Sequence, residues 1–204
     1  MARRLVLKMS MSVDGYVAGP DGDVGWMART RSADGASWVE ETLWQAGAHL
    51  VGRRTHESWA RYWPDAPGPM AAPMNTIPKI VFSRSGRASV SGTAPDTTGA
   101  GVERPITDAA AGWRDAPVLG GDLTAQIGAL KDQPGKDLLA QGGASFARSL
   151  VRRGLVDEYR LVIHPVVLGA GLPLFEGADP FDLTLVGATT FDSGTQALVY
   201  RPGA

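Results

Sequence analysis

No cysteine occurs among the 204 residues. That excludes disulfides and cysteine-ligated zinc, and it fits a reducing compartment. Charge of one sign is also missing in excess. Lys and Arg number 20 against 21 Asp and Glu, a net charge of −1, so no basic field favours nucleic acid. No apolar run approaches the ~20 residues a membrane span requires. The opening stretch, MARRLVLKMSMSVDG, has too short an apolar run for a secretory leader and lacks a small-residue cleavage pattern. The expectation is a soluble, cytoplasmic protein. The three histidines, His49, His56 and His164, do not stand at metal-ligand spacing, so no metal is expected. Two short signals are absent as well. The GxGxxG dinucleotide fingerprint does not occur, and no acidic residue stands at the ribose distance, which argues against an ordinary Rossmann site. Large apolar residues are nearly absent from about 86 to 112, a stretch rich in Gly, Ala, Ser, Thr and Pro. It reads as a long exposed insert within a single domain spanning 1–204.

What is present is a globular pattern, 44% hydrophobic. RRLVLKM, residues 3 to 9, reads as a first strand. A glycine-rich loop follows, then a helix over Ala36 to Gln45. AHLVG is a short buried strand, and THESWARYW is a helix capped by Thr55 and stopped at Pro64. PKIVFS, APVLG and KDLLAQ read as strands. Between the last two, DLTAQIGALK is a helix with Asp122 as its N-cap. GASFARSLVRRG is a helix ended by Gly154. VDEYRLVIHPVVLG is a long strand, and FDLTLVGATTFDSGTQALVYR is a hairpin turning at FDSG. Alternating strands and helices closed by a hairpin predict an α/β fold, mostly a parallel twisted sheet with helices on both faces and an antiparallel carboxyl-terminal hairpin. Ligands in such sheets bind at the carboxyl ends of the strands.

Three of those ends carry phosphate-binding chemistry. After AHLVG, Gly52 leads into Arg53, Arg54 and Thr55; arginine's planar fork donates two hydrogen bonds to a phosphate and keeps its charge. After PKIVFS come Ser83, Arg84 and Ser85. After LLAQ, Gly142 and Gly143 open a helix whose first amides, at Ala144 and Ser145, attract anions. One long ligand with several phosphates, such as a dinucleotide with an extra ribose phosphate, could touch all three. Among the carboxylates, Asp14 lies in the SVDG turn and Glu158 enters a strand expected to be partly buried. Glu40 and Glu41 are adjacent on the first helix. The six tryptophans are core residues by default, except Trp26, whose glycine-rich loop puts it near the pocket.

The combination SVDGYVAGPDG, LVGRRTHESW, KIVFSRS, QGGASFARSL and LVDEYRLVIHPVVLGAGLPLF resembles the dihydrofolate reductase superfamily. It is most similar to the C-terminal reductase domain of riboflavin-biosynthesis deaminase-reductases, the RibD C-terminal family. The likeness covers nearly the whole chain apart from about 86–112. The zinc-binding deaminase pattern of the bifunctional members is absent here, so the resemblance implies a stand-alone reductase-like member. It also implies a three-layer αβα sandwich, NADPH as cofactor, a small heterocyclic substrate and a homodimer. On the matching positions, Arg53, Arg54 and Thr55, with Gly52, would hold the 2′-phosphate and pyrophosphate. Ser83 and Arg84 would flank the adenosine phosphate, and Gly142, Gly143, Ala144 and Ser145 would cradle the pyrophosphate. Ser10 would lie by the nicotinamide carboxamide, and Val17 would cover the ring. Asp14 and Glu158 are the candidate catalytic carboxylates; Trp26 and Glu41 are candidate substrate contacts. The implied reaction reduces the ribosyl group of a phosphoribosylamino-pyrimidine. A pterin reductase of the dihydrofolate type is the second reading, and a nucleotide-binding module without turnover the third.

Overall fold

The computed structural model describes residues 2–86 and 108–203. Leu5–Ser12 forms β1, and its alternation places Leu5, Leu7, Met9 and Met11 in one core and Val6 in another. Tyr16–Ala18 is β2. Ala48–Gly52 (β3), Lys79–Phe82 (β4), Val118–Leu119 (β5), Leu138–Gln141 (β6) and Glu158–His164 (β7) run parallel to β1, in the order β5-β4-β3-β6-β1-β7. Leu172–Pro173 (β8) pairs with β2 in a separate two-stranded sheet. Leu183–Thr190 (β9) and Gln196–Pro202 (β10) form the antiparallel hairpin; β10 pairs with β7, and β9 is the outer edge.

Helices cover both faces. These are Ala33–Trp44 (α1), Arg53–Tyr62 (α2), Ala71–Thr76 (α3), Asp108–Arg114 (α4), Leu123–Lys131 (α5) and Ala144–Val151 (α6). On one face α5 and α6 bury Ile127, Leu130, Ala147, Leu150 and Val151 against β1, β3 and β6. On the other, α1, α3 and α4 bury Leu43, Met74 and Trp113, with Trp59 of α2 packed against them. The expected three-layer arrangement is therefore present.

Local signals were followed in places and overridden in others. Asp122 caps α5 as expected, its carboxylate accepting the Ala125 N–H at 2.9 Å. Thr55 does not cap α2. The strand runs directly into the helix, Gly52 takes the cap position, and Thr55 falls in the first turn. Most of the expected insert, residues 87–107, lies outside the described residues. Its last part is not an exposed loop: 108–112 belong to α4, anchored by Trp113. That indole is fully buried and donates to Asn75 Oδ1 at 2.8 Å, while His56 Nε2–H donates to the Trp113 carbonyl at 2.8 Å.

The double glycine has a structural cause. Gly142 and Gly143 both have positive φ, 78° and 77°. A Cβ at Gly142 would come within 2.7 Å of the Trp59 ring, and one at Gly143 within 2.5 Å of Thr55 Oγ1. The turn is thus wedged against α2. Gly143→Ala should cost about 1–3 kcal/mol, from the left-handed backbone plus the contact. Thr55→Ala should return part of that loss in the double variant. Chemical denaturation of the four proteins checks it, and strict additivity would show that α2 does not constrain the turn.

Lys79 is buried (3% exposed), donates to the Asn75 carbonyl and lies 4.7 Å from the centre of the Trp113 ring. No carboxylate pairs with it among the described residues. Burial pulls its pKa down from 10.5 to about 8. A base whose folded pKa is depressed destabilises the fold fully below the folded pKa. That cost disappears as pH rises towards the unfolded value. Relative to Lys79→Met, the native chain should therefore gain up to about 3 kcal/mol between pH 7 and pH 10.5, following the span from 8 to 10.5. Denaturant titrations of both proteins across that range measure it; a constant difference contradicts it.

Candidate functional site

The ends of β4, β3, β6 and β1 are neighbours on one edge of the sheet. The three phosphate-friendly stretches therefore stand side by side: Ser83 and Arg84 after β4, Arg53 to Thr55 after β3, and Gly142 to Ser145 after β6. At the usual strand spacing, the row from β4 to β1 spans about 14 Å. Arg53, Arg54 and Arg84 are exposed, and Arg53 Nη1 donates to Glu57 at 3.0 Å. The Ser83 side chain is buried, with its hydroxyl 3.1 Å from that of Ser85. At the start of α6, Gly143 is the cap residue and its carbonyl accepts from Phe146 and Ala147. The amides of Ala144 and Ser145 fall in the first turn, where a helix has no internal partner to offer. These groups fit a dinucleotide phosphate chain.

Next to that row lies a cavity of about 320 Å³ on the face covered by α1. β1 contributes Lys8 and Ser10, β7 contributes Val162 and His164, and Thr195 stands just before β10. A short 3-10 turn, Gly25–Thr30, and α1 close it with Met27, Thr30, Ala36 and Val39, and Phe191 packs from the hairpin turn. Lys8 Nζ lies 3.4 Å from Ser10 Oγ, and burial lowers its pKa to about 8. His164 Nδ1 meets Thr30 Oγ1 at 2.7 Å, and its ring packs edge-on against Trp26 at 5.3 Å. Burial, helped by the positive charge of Lys8, lowers the His164 pKa to about 4, so the ring is neutral near pH 7. No Asp or Glu lines the cavity among the described residues.

Several expected residues stand elsewhere. Glu158 is not in the site. It lies at the amino end of β7, opposite Val6, whereas the site is at the carboxyl end beside His164, about 20 Å further along the strand. It is 3% exposed and held by Arg4 at 2.8 Å, Arg160 at 2.9 Å and Arg201 at 3.2 Å. A carboxylate so enclosed is a structural ion-pair centre. Glu41 points to solvent on α1; the residues of that helix that line the cavity are Gly35, Ala36 and Val39. Trp26 is 2% exposed and packs behind His164 instead of lining the cavity. Val17 is buried in the core shared with Met9 and Met11. Asp14 is exposed, and its carboxylate accepts the amides of Leu168, at 3.1 Å, and Gly169, at 2.8 Å. Hydrogen bonding from Ser12 and from these amides holds its carboxyl below the usual range. It ties the end of β1 to the loop after β7. Ser10 lines the cavity.

The sequence reading missed Lys8, Thr30, Arg31, Ser193 and Thr195. Lys8 had a signal: it is the one charged residue inside LVLKMSMS, an otherwise apolar and hydroxyl-bearing central strand. The others come from two separate segments, at 30–31 and 193–195, that only the folded chain brings together.

Residues 3–197 match the family described as the RibD C-terminal domain. The uncharacterized protein YyaP of Bacillus subtilis is 31% identical over 205 residues, covering 98% of this chain and 95% of that protein. Among solved structures, a diaminohydroxyphosphoribosylaminopyrimidine deaminase/5-amino-6-(5-phosphoribosylamino)uracil reductase from Thermotoga maritima superposes with a TM-score of 0.66 at 17% identity. That match covers 99% of this chain and 57% of the other. Dihydrofolate reductase from Enterococcus faecalis, solved with NADP(H), superposes with a TM-score of 0.57 at 15% identity, with complete coverage of both chains. The fold is thus the dihydrofolate reductase-like one, and with a family match running nearly end to end, the chain belongs to the RibD C-terminal domain family.

Proposed function

We propose that this protein is an NADPH-dependent reductase acting on a small planar heterocycle or a related imine or carbonyl compound. One observation carries the reading. Three adjacent parallel strands end in groups suited to phosphate, and the next strand, β1, leads into a mostly apolar cavity. A dinucleotide laid along that edge has its phosphates on β4, β3 and β6 and its nicotinamide at Ser10. Membership of a reductase family supports the same reading. The cofactor supplies the hydride; the chain binds, orients and shields it from water. Asp14, carrying the loop at 168–169, acts in this reading as a positioning residue.

The pterin reading has less support. A pterin site needs a carboxylate to bind the ring, and no acidic side chain lines the cavity among the described residues. The first test measures NADPH binding by fluorescence titration, then follows NADPH absorbance with the phosphoribosylamino-pyrimidine and dihydrofolate side by side. Binding without turnover on any acceptor would favour a nucleotide-binding module.

Cofactor choice tests the arginines. Arg53→Ala should weaken NADPH by about 1.5–3 kcal/mol, the range of a charge-assisted contact, and NADH far less. Equal losses for the two cofactors would remove the 2′-phosphate from Arg53.

The homodimer is also a proposal. β9 is an edge strand, and Leu185 and Val186 on it are exposed, with Phe181 just before it. An apolar edge of this kind invites pairing with a second copy. Light scattering should give twice the monomer mass at micromolar concentration, and Val186→Lys should shift the protein towards monomer. A monomeric native chain would contradict it.

A further inference from the structure

The cavity holds an unusual charge pattern. Lys8 reaches it from the middle of the sheet, flanked in register by Gln141 on β6 and Arg160 on β7. Neither neighbour neutralises it: Gln141 is uncharged, and Arg160 is turned towards Glu158 and Gln45. Lys8 makes no ion pair among the described residues; its ammonium has only the Ser10 hydroxyl, at 3.4 Å. The walls around it are Met27, Val39, Met70, Val162 and Phe191. Arg31 is the other cation on the lining, and it is exposed. His164 brings no charge near pH 7.

An unpaired cation in an apolar chamber favours an oxygen that carries or acquires negative charge. It disfavours a protonated ring nitrogen. The volume, about 320 Å³, is at the low end of ligand pockets, ~300–1,000 Å³. Part of it, on the Ser10 side, is taken by the nicotinamide in the reading above. A phosphorylated sugar needs several charged or amide donors for its phosphate. The phosphate-binding strand ends lie on the far side of β1 and serve the cofactor.

We propose that this cavity takes a compact, mostly apolar, conjugated carbonyl compound with its carbonyl oxygen on Lys8 Nζ. This inference rests on the hydride-transfer reading for its chemistry, though not for its binding. Hydride from NADPH adds to the β-carbon, forming a C–H bond. The carbon–carbon π pair shifts to make a carbon–carbon double bond next to the oxygen, and the carbonyl π pair moves onto the oxygen as an enolate. Lys8 donates a proton to that oxygen, and the enol then tautomerises to the saturated carbonyl. NADP⁺ and a neutral amine remain, and solvent returns the proton to Lys8. The substrate is reduced by two electrons and NADPH is oxidised by two.

Two arms test the proposal. The first uses the protein without cofactor and 4-nitrophenol, whose phenolate mimics the enolate and absorbs in the visible. The native protein should bind it as phenolate. Lys8→Met should lose at least ~10-fold in affinity, and Lys8→Arg should stay within about 3-fold of the native protein, since it keeps the charge. Circular dichroism verifies that both variants fold. Equal binding by native and Lys8→Met proteins overturns the assignment. The second arm follows NADPH absorbance with 2-cyclohexen-1-one, with cyclohexanone as the saturated control and 5-amino-6-(5-phosphoribosylamino)uracil as the competitor. The enone should be reduced and cyclohexanone should not. Lys8→Met should lower kcat at least ~10-fold with NADPH affinity unchanged. Turnover of the phosphoribosyl compound in preference to the enone overturns the substrate class. If NADPH does not bind, the reductase reading fails, while the phenolate arm still decides whether Lys8 receives an oxyanion.

Discussion

A single buried carboxylate organises one end of this molecule. Glu158 begins β7 and is gripped by Arg4 ahead of β1, by Arg160 on β7 and by Arg201 on β10. Arg4 also pairs with Asp137, the residue before β6, at 2.6 Å. Four strands are thereby pinned at a common level by charge-assisted bonds. Exposed ion pairs contribute little, yet here the carboxylate is buried and each arginine finds it. Removing it would leave three cations facing one another. With the amino ends of β6, β1 and β7 and the carboxyl end of the antiparallel β10 locked in this way, their opposite ends hold a fixed alignment beside the cavity. The cavity lies at one end of the sheet and the electrostatic anchor at the other.

Much of the architecture was legible because it depends on local pattern. LVLKMSMS, AHLVG and LLAQ are apolar runs of strand length, and the helices between them have the right period. The hairpin announced itself through its FDSG turn. The phosphate-friendly stretches were legible one at a time; that they are adjacent follows from the strand order, which places β6 between β3 and β1. The failures have a common cause. Glu158 looked functional because a carboxylate entering a buried strand needs a partner, and its three partners lie 154, 2 and 43 positions away in the chain. Glu41 looked eligible because helix geometry alone does not say which of two adjacent glutamates faces inward. The start of α4 reads as part of the insert because Asp108 to Gly112 has no large apolar residue; Trp113, one step later, supplies the anchor.

The double glycine shows how one sequence feature supports two readings. It looked like a cradle for a pyrophosphate. The folded chain shows that it is also where α2 presses on the turn, through Trp59 and Thr55. The proposed cradle and the contact with α2 involve the same backbone. Whatever holds α2 in place therefore also sets the direction of the first amides of α6.

The two loops beyond β1 and β7 carry a last implication. Asp14 bonds the amides at 168 and 169, Val13 N–H donates to the Val166 carbonyl, and β2 pairs with β8. Gly171 is so close to β2 that a Cβ there would fall on the Ala18 carbonyl. These segments are some 150 residues apart in the chain, yet neither can leave its place without breaking the other's bonds. Segments bound to each other in this way are expected to open together in native-state hydrogen exchange. A molecule that rests on either segment should therefore slow amide exchange in both.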